Sequence, residues 1–431
     1  MKNVKIGILG IGTVGAGVYE LLEKHKKVIG KKSGIDIEIK KIADKAAERR
    51  KLLNIPASIF TPDADDVISD PDIRIVVQLI GGTTVSRELM LKAISHKKNI
   101  VTANKALLAE HGVEIFKAVV KEEVEFGYEA SVGGGIPIIK TIRESLVGNQ
   151  IDKVIGIVNG TTNFILTKMM REDLSFDEAL KIAQELGFAE ADPYLDVSGW
   201  DACHKITILS SLAFNTPVDM SKVFVEGIEG IHMKDIQYAD ELGFVPKLLA
   251  IAERHDNGVL VRVHPSLVSK ENPLAAVSWE DNAIMLYSDF LGKSMYYGKG
   301  AGAKPTASAV VGDITDIALK ITSKTEYNKN RYSFYQDLQQ KDFETSRTKF
   351  YFRFSALDRP GILSKIAGIL GKNNISIASV IQKETEEEFE HVPLVILTHE
   401  ALEADTRRAV KEIDGLSEVE GKSIKIRVIE G

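Results

Sequence analysis

The glycine-rich turn near the N-terminus limits the possible folds more than any other feature of this sequence. Residues 4–9 form an apolar strand pattern, and a turn follows that opens a helical pattern running to about Lys26. A G-x-G-x-x-G turn between a strand and a helix lets the backbone approach a pyrophosphate at the helix N-terminus. We therefore predict a Rossmann-like unit that binds NAD or NADP through Gly10, Ile11, Gly12, Thr13, Val14 and Gly15.

The second predicted strand, residues 35–43, bears on the choice between the two coenzymes. It is followed by Asp44, and a carboxylate at this point takes a ribose hydroxyl and favours NAD. However, Lys45, Arg49 and Arg50 follow closely and could receive a 2′-phosphate. The sequence leaves the preference open, with a lean to NAD or to use of both coenzymes.

Two further strand patterns end in residues suited to ligand binding. Residues 73–80 lead into Gly82 and Thr83, and residues 99–101 lead into Thr102 and Lys105. Because open α/β sheets bind ligands at the carboxyl ends of their strands, we expect all four residues at the coenzyme. A solvated lysine is the alternative for Lys105.

Three consecutive glycines follow a strand pattern at residues 125–130. Glu129 and the carbonyl groups of residues 131–137 could form an oxygen-lined cation site. A hinge between domains is the alternative, and the two interpretations are compatible.

The stretch from Gly187 to Lys205, GFAEADPYLDVSGWDACHK, concentrates ionisable side chains. Its Asp-Pro and Ser-Gly breakers predict a loop, and a helix pattern then runs from Trp200 to Phe214. On that helix Asp201 and Lys205 share a face, and Ser198 with Asp201 resembles a capping box. A capped helix with a surface ion pair is one interpretation. The density of charge favours the other, a site for a substrate that carries both an amine and a carboxylate.

Composition excludes several classes of protein. The net charge is −6 and no basic stripe is present, so we expect no nucleic-acid partner. No apolar run reaches the roughly 18 residues of a membrane span, and the N-terminus lacks a signal-peptide pattern. Cys203 is the single cysteine, which fits a reducing cytoplasm; we expect it in a helix core rather than as a reactive thiol.

The chain of 431 residues predicts about three domains. The first is the dinucleotide-binding domain, residues 1–147, to which the chain returns in a helix at 306–324 after a third glycine-rich segment. Residues 148–305 read as an α+β domain and residues 325–346 as a polar linker. Residues 347–431 have the order βαββαβ, typical of a ferredoxin-like unit.

Six separated motifs, in order along the whole chain, resemble the homoserine dehydrogenase family with a C-terminal ACT domain. They are GILGIGTVGAGV, TANKALLA, YEASVGGGIP, NGTTN, the charged stretch at 187–205, and GAGAKPTASAVVGD. The resemblance implies NAD(P)-dependent interconversion of L-homoserine and L-aspartate 4-semialdehyde in threonine, methionine and isoleucine biosynthesis. It also implies that the second domain binds substrate and forms a homodimer.

The resemblance assigns roles to particular residues. Lys205 looks like the proton donor, with Asp201 orienting it, Lys105 at the nicotinamide and substrate, and Glu190 and Asp196 binding substrate. Sodium would be bound by Glu129 and by the carbonyls of Val132, Gly134 and Ile136, while Gly187 and Gly302 would lie near the coenzyme. Many members carry an Arg where Ala43 stands here, which weakens the expectation of NADP. Asp201 alone would raise the pKa of Lys205, so we expect burial or Lys105 to offset it.

The C-terminal domain implies regulation by an amino acid, with L-threonine as the expected effector at Asp358, Gly361 and Asn374. A purely structural ACT pair is the alternative, and a tetramer through ACT domains is possible. Two other functions are alternatives. One is an amino-acid dehydrogenase that acts on an imine, and the other is a non-catalytic sensor that keeps a dinucleotide as ligand. The charged stretch at 187–205 argues against the first, and the combination of Lys105, Glu190, Asp201 and Lys205 argues against the second.

Overall fold

The computed structural model describes residues 2–256, 258–382 and 391–430. Its first sheet contains six parallel strands: β1 (Lys2–Leu9), β2 (Ile35–Ala43), β3 (Phe60–Thr61), β4 (Ile75–Gln78), β5 (Asn99–Thr102) and β6 (Phe126–Gly127). Their order is β3-β2-β1-β4-β5-β6, the arrangement of dinucleotide-binding sheets. The apolar runs of the central strands are fully buried because helices cover both faces.

The helices of this unit are α1 (Thr13–Ser33), α2 (Ala47–Leu52), α3 (Asp65–Ile68), α4 (Thr84–Ser95), α5 (Lys105–Glu122) and α6 (Ile138–Lys140). A later helix, α12 (Ala303–Ser323), packs with α1 on the same core through Val310, Ile314 and Ile317. The chain thus returns to the coenzyme unit after its second domain, as the sequence predicts.

The second sheet begins in the middle of the chain. Its strands there are β7 (Ile151–Ile157), β8 (Phe224–Val225), β9 (Phe244–His255), β10 (Gly258–Ser269), β11 (Asp281–Ser288) and β12 (Gly292–Lys299). The helices are α7 (Gly160–Glu172), α8 (Phe176–Glu185), α9 (Tyr194–Val197), α10 (Trp200–Ala213) and α11 (Met233–Glu241). The predicted cap of α8 is confirmed, since Ser175 and Glu178 form a reciprocal capping box.

The C-terminal unit extends the same sheet. It contains β14 (Arg347–Leu357), α13 (Ile362–Lys372), β15 (Ile377–Gln382), β16 (His391–Thr398), β17 (Ala401–Leu402), α14 (Glu403–Ile413) and β18 (Ile424–Ile429). The βαββαβ order is confirmed. β18 pairs parallel with β10, so the path β12-β11-β7-β9-β10-β18-β14-β16-β15 is continuous across both units.

Residues 325–346 connect the units along the surface of both. β13 (Gln339–Gln340) pairs with β10, and the buried Tyr332 hydroxyl donates to Glu125 at 3.0 Å. Aromatic side chains of this predicted linker thus pack against both units. The domain boundaries stay predictions. No helix among the described residues has the length and apolarity needed to cross a membrane.

Three local predictions are corrected. The strand expected at 125–130 is limited to β6 and is followed by a 3-10 turn, Glu129–Ser131. The helix expected at 138–146 is α6 followed by a π-helical segment, Thr141–Ser145. The capping box expected at Ser198 is absent, because Gly199 with φ 88° precedes α10 and the Ser198 hydroxyl donates to the Tyr194 carbonyl.

Candidate active site

A carboxylate held between two ammonium groups lies at the centre of the candidate site. Asp201 is in the first turn of α10, and Lys205 is one turn later on the same face. Asp201 Oδ2 is 2.6 Å from Lys205 Nζ, and Asp201 Oδ1 is 2.5 Å from Lys105 Nζ at the start of α5. The site therefore joins the coenzyme unit to the second domain.

Asn159 fixes the positions of Asp201 and of a second carboxylate, Asp196. The sequence did not identify Asn159 as a site residue. It follows β7 and caps α7, where its Oδ1 accepts the Thr162 N–H. Its Nδ2 donates to Asp201 at 2.8 Å and to Asp196 at 2.7 Å. The NGTTN motif was the available signal, since an asparagine cap presents its amide at a strand end.

Lys205 is anchored so that its amine occupies a defined, enclosed position. Its side chain is 8% exposed, and Nζ also donates to the Val158 carbonyl at 2.5 Å. By contrast, the Lys105 side chain is 42% exposed. Lys105 is thus the ammonium in contact with solvent, and Lys205 is the enclosed one.

Burial and charge set the protonation of this group of residues. Burial lowers the pKa of Lys205, the charge of Lys105 acts in the same direction, and Asp201 opposes both. This net direction agrees with the offset predicted from the sequence. Burial alone raises the pKa of Asp201, but Lys205 and Lys105 outweigh it and hold that pKa far below the usual carboxyl range. Asp201 is therefore ionised throughout the working pH range.

The loop between α8 and α10 brings further carboxylates to this group. Gly187, with φ 76°, ends α8 as predicted, and the exposed Glu190 follows. The Glu190 carboxylate has no hydrogen-bond or ion-pair partner among the described residues, yet its charge acts on Lys105. The pKa of the half-buried Asp196 is raised by burial and then by Asp201. Glu190 is thus free to bind a cationic group.

The glycine turn after β1 has the backbone shape that a dinucleotide requires. Gly10 has φ 93°, and a Cβ on Gly15 would stand 2.2 Å from the Gly10 carbonyl oxygen. Gly12, Thr13 and Val14 form the junction with α1, so backbone N–H groups are directed at the space above the sheet.

Asp44 is engaged with the backbone at this turn. Its two oxygens accept the N–H groups of Ile11, at 2.6 Å, and Ala46, at 2.7 Å. The half-exposed Arg49 reaches across it, with Nη1 4.0 Å from Asp44 and 3.5 Å from the position of a Cβ on Gly12. A cation therefore stands beside the glycine turn, next to a carboxylate that is already hydrogen bonded.

Four other predicted coenzyme residues stand where strands end or helices begin in the coenzyme unit. Gly82 (φ 77°) and Thr83 lead into α4, and Gly302 (φ 109°) leads into α12. A Cβ on Gly17 of α1 would stand 2.8 Å from the Ala303 carbonyl oxygen, which brings Gly302 close to α1. Thr102 is fully buried and its hydroxyl donates to Gln78, so it supports the edge from below.

Glu129 occupies a buried position with no ion-pair partner among the described residues. Its oxygens accept the N–H groups of Ile139 and Lys140, both at 2.8 Å. Burial raises the pKa of Glu129 to about 7. Gly134 (φ 53°) belongs to the turn between Val132 and Ile136, and the Ile136 carbonyl already accepts the Ile138 N–H at 2.8 Å. The charge of Arg143 acts on Glu129 without forming an ion pair, and a cation beside the carboxylate would further stabilise its ionised form.

The predicted regulatory residues do not meet within one subunit. Asp358 and Gly361, with φ 94°, precede α13, whereas Asn374, with φ 59°, follows it. The intervening helix of 11 residues separates them by roughly 16 Å.

Cys203, in α10, is fully buried, and burial raises the pKa of its thiol to about 12, as expected for a core residue.

Comparisons with known proteins identify the family. Residues 137–315 match the family described as Homoserine dehydrogenase, residues 10–129 match Homoserine dehydrogenase, NAD binding domain, and residues 350–418 match ACT domain. The homoserine dehydrogenase of Pseudomonas aeruginosa is 42% identical over 99% of both chains. The chain belongs to the homoserine dehydrogenase family.

Solved homoserine dehydrogenase structures agree with this assignment. The crystal structure from Thiobacillus denitrificans has a TM-score of 0.95 and 41% identity, covering 100% of this chain and 99% of its own. A hyperthermophilic archaeal homoserine dehydrogenase mutant, solved in complex with NADPH, covers 75% of this chain and 99% of its own at a TM-score of 0.63 and 27% identity. The predicted fold class and the resemblance stated from the motifs are confirmed.

Proposed function

We propose that this homoserine dehydrogenase interconverts L-homoserine and L-aspartate 4-semialdehyde with NAD or NADP, in the cytoplasm. The observation that carries the proposal is the Lys105–Asp201–Lys205 group at the junction of the coenzyme unit and the second domain. This arrangement supports reduction of an aldehyde, because a buried ammonium is available where negative charge develops on the oxygen.

The protein residues supply proton transfer and orientation. A bound nicotinamide would supply the hydride for aldehyde reduction and would accept it in alcohol oxidation. In the direction of aldehyde reduction, Lys205 Nζ gives a proton to the substrate oxygen; in alcohol oxidation, the same amine accepts it. Asp201 and the Val158 carbonyl hold Nζ in place. Because burial lowers the pKa of Lys205, its neutral and charged forms are closer in free energy than those of an exposed lysine.

Substrate recognition would depend on charged residues around the Asp201 group. The Glu190 carboxylate, without a protein partner in the described part of the chain, suits the substrate ammonium, with Asp196 adding negative charge nearby. The exposed Lys105 suits the substrate carboxylate. Negative and positive side chains at one place match the ammonium and carboxylate groups of an amino-acid substrate.

The environment of Asp44 supports use of NADP as well as NAD. Its two oxygens already accept backbone N–H groups, so they are less available to take the ribose hydroxyl that favours NAD. Arg49 beside Gly12 supplies a guanidinium for that phosphate. Asp44 and Arg49 together support a dual-coenzyme enzyme.

A monovalent cation at Glu129, sodium in particular, is part of the proposal. The residues fit such an ion: the carboxylate is buried without a cationic partner among the described residues, and the glycine turn beside it carries backbone carbonyls. Val132, Gly134 and Ile136 would complete the oxygen ligands. The ion would hold the turn that joins the two domains.

Regulation by L-threonine through the ACT domain is also proposed. In its support, Arg427 of β18 donates to Glu226 at 2.6 Å, and the nearby Ile228 N–H donates to the Val197 carbonyl at 2.9 Å. Val197 is adjacent to Asp196, so the ACT domain is mechanically tied to the substrate loop. The separation of Asn374 from Asp358 and Gly361 favours an effector site between ACT domains of two subunits, in a homodimer or a tetramer.

Initial rates of L-homoserine oxidation, followed by absorbance at 340 nm with NAD and with NADP, test the proposal. We expect turnover with both coenzymes and a lower rate when L-threonine is added. Turnover that L-threonine does not change would reject the regulatory part alone. A folded protein without turnover on either coenzyme would reject the catalytic assignment.

A further inference from the structure

A cavity of about 320 Å³ lies away from the active site, between the π-helical segment Thr141–Ser145, the C-terminal end of α10 and residues 328–335. Arg143, in the π-helical segment, lines this cavity. Its guanidinium carbon lies 4.9 Å from the ring centre of Tyr128 and 5.6 Å from that of Tyr332. The aromatic rings hold the cation in place without neutralising it.

Arg143 lacks the partner that an enclosed guanidinium normally has. Its Nε is buried without a hydrogen-bond acceptor. The charges of Asp313 and Glu129 act on Arg143, but no carboxylate among the described residues forms an ion pair with it. Arg331, which also lines the cavity, is different, because it is paired with Glu144. An unpaired guanidinium in such a position is unfavourable unless a ligand supplies the acceptor.

Four asparagines line the same cavity, and three of them are held so that they offer hydrogen-bond donors. Asn149, Asn215 and Asn328 line it, and each uses Oδ1 to accept a backbone N–H, at 2.9, 2.8 and 3.1 Å respectively. Their Nδ2 groups have no protein acceptor in the described ranges. With these three carbonyl oxygens occupied and the carboxylate of Glu144 paired with Arg331, their Nδ2 groups and Arg143 are donors that can recognise an anion.

The rest of the lining indicates which anion fits. Leu146 and Leu212 contribute apolar wall, so an inorganic ion would leave that surface without a partner. The planar fork of Arg143 matches the two oxygens of a carboxylate. We propose that this cavity binds a small organic carboxylate of amino-acid size, with Arg143 on the carboxylate and the asparagine amides around it.

This site is distinct from the catalytic one. Leu212 and Asp201 lie at opposite ends of α10, eleven residues apart, which is about 16 Å along the helix axis. The proposal therefore does not depend on the chemistry assigned to Lys205.

Calorimetric titration of the full-length protein tests the site, with acetate, L-alanine, L-valine and inorganic phosphate as probes at constant ionic strength. We expect at least one carboxylate to bind more tightly than phosphate. Arg143→Gln should weaken that binding by about tenfold or more, because it removes a charged hydrogen bond.

Two further variants separate loss of the site from loss of folding. Asn215→Asp keeps the oxygen that accepts the Tyr335 N–H and tolerates the φ of 51° at this position, but it adds a negative charge to the cavity. It should weaken carboxylate binding in a folded protein. Arg171→Gln is the control, since Arg171 also stacks on an aromatic ring, at 5.3 Å from Trp279, but does not line the cavity.

Carboxylate binding that is lost in Arg143→Gln and Asn215→Asp and kept in Arg171→Gln supports the proposal. Binding that is unchanged in Asn215→Asp and Arg143→Gln overturns it. The proposal is also overturned if the wild-type protein binds none of the carboxylates at about 50 mM, a concentration at which even a single charged contact is detected. A preference for phosphate over the carboxylates would overturn it as well.

Discussion

At the scale of single residues, Asp201 organises the proposed catalytic group. One buried carboxylate contacts two ammonium groups and one amide, and its own pKa is held far below the usual range despite burial. A fixed negative charge is therefore present in both protonation states of Lys205. This keeps the amine in position while burial lowers its pKa, which suits a group that must give and take a proton.

The coenzyme preference is predicted to depend on Arg49. Arg49→Gln should lower kcat/KM for NADP by about tenfold or more, because it removes a charge-assisted contact to the 2′-phosphate, while kcat/KM for NAD changes little. Arg50→Gln is the matched control, since Arg50 in the same helix donates to the Ile55 carbonyl instead. An equal loss with both coenzymes would instead assign Arg49 to the pyrophosphate.

A second prediction concerns Glu129 and sodium. Burial raises the pKa of Glu129 from 4.5 to about 7. The folded state thus binds an extra proton between these pH values, and without a bound cation stability falls as the pH rises through this window. Sodium chloride, compared with tetramethylammonium chloride, should therefore raise Tm more at pH 8 than at pH 5.

Glu129→Gln is the control for this measurement, because the amide keeps the shape but loses the charge. In that variant the difference between the two salts should disappear. A sodium effect of equal size at both pH values, or one retained in Glu129→Gln, would refute a cation site at this residue.

The sequence identified Asp201, Lys205 and Lys105, and the structure brings them together. Asp201 and Lys105 stand at the starts of two helices, and Lys205 lies one turn after Asp201. It did not identify Asn159 or the Val158 carbonyl. Asn159 reads as an ordinary helix cap, and its contacts with Asp196 and Asp201 span about 40 positions of sequence. A backbone carbonyl has no signature in a sequence at all.

At the scale of elements, the start of α10 shows how function overrides a local pattern. Ser198 and Asp201 have the spacing of a capping box, but the Asp201 carboxylate is occupied by Lys105, Lys205 and Asn159. Gly199, with φ 88°, forms the helix start instead. The spacing correctly predicted the helix and wrongly predicted what caps it.

The central strand β9 was not predicted. Its sequence, FVPKLLAIAERH, has no alternation of apolar and polar residues, and Pro246 argues against a strand in the interior of a sheet. The structure buries both faces of β9, which removes the need for alternation, and pairs it with β10 over the full length of both strands. A strand of this kind can be identified only from the neighbouring strands that it pairs with in the structure.

The glycine turn allows a prediction at this scale. Gly15→Ala places a Cβ 2.2 Å from the Gly10 carbonyl oxygen, so the turn must move and KM for both coenzymes should rise by tenfold or more (an estimate of about 1.4 kcal/mol or more in coenzyme binding). The control is Gly312→Ala in α12, where a Cβ meets nothing within 4 Å. It should leave KM unchanged and raise Tm slightly. Unchanged KM in Gly15→Ala would contradict the assignment of this turn.

At the scale of the whole molecule, buried ion pairs join the ACT domain to the catalytic part. Arg353 makes two bonds to the fully buried Asp235, at 2.6 and 2.9 Å, and Tyr351 donates to the same carboxylate at 2.9 Å. With the strand pairing of β18 and β10, these contacts make the two units one continuous structure. The sequence could predict each unit from its own pattern, but not this junction, because partners more than 100 positions apart leave no local signal.

The junction is predicted to depend on Arg353. Arg353→Leu leaves Asp235 buried with a hydroxyl as its remaining partner and should destabilise the protein by about 3 kcal/mol or more, measured by urea denaturation. Arg87→Leu removes an equally well-formed bidentate pair with Glu114, but on the surface, and should cost about 1 kcal/mol or less. Equal effects of the two variants would show that the junction is not structurally important.

The central claim, that Lys205 transfers the proton, is tested most directly by kcat of Lys205→Ala for L-homoserine oxidation. The account predicts a folded protein with kcat lowered about 100-fold or more, whereas Lys247→Ala, which removes another buried lysine of the same domain, keeps most of its kcat. A folded Lys205→Ala enzyme that retains more than about a tenth of wild-type kcat would contradict the account.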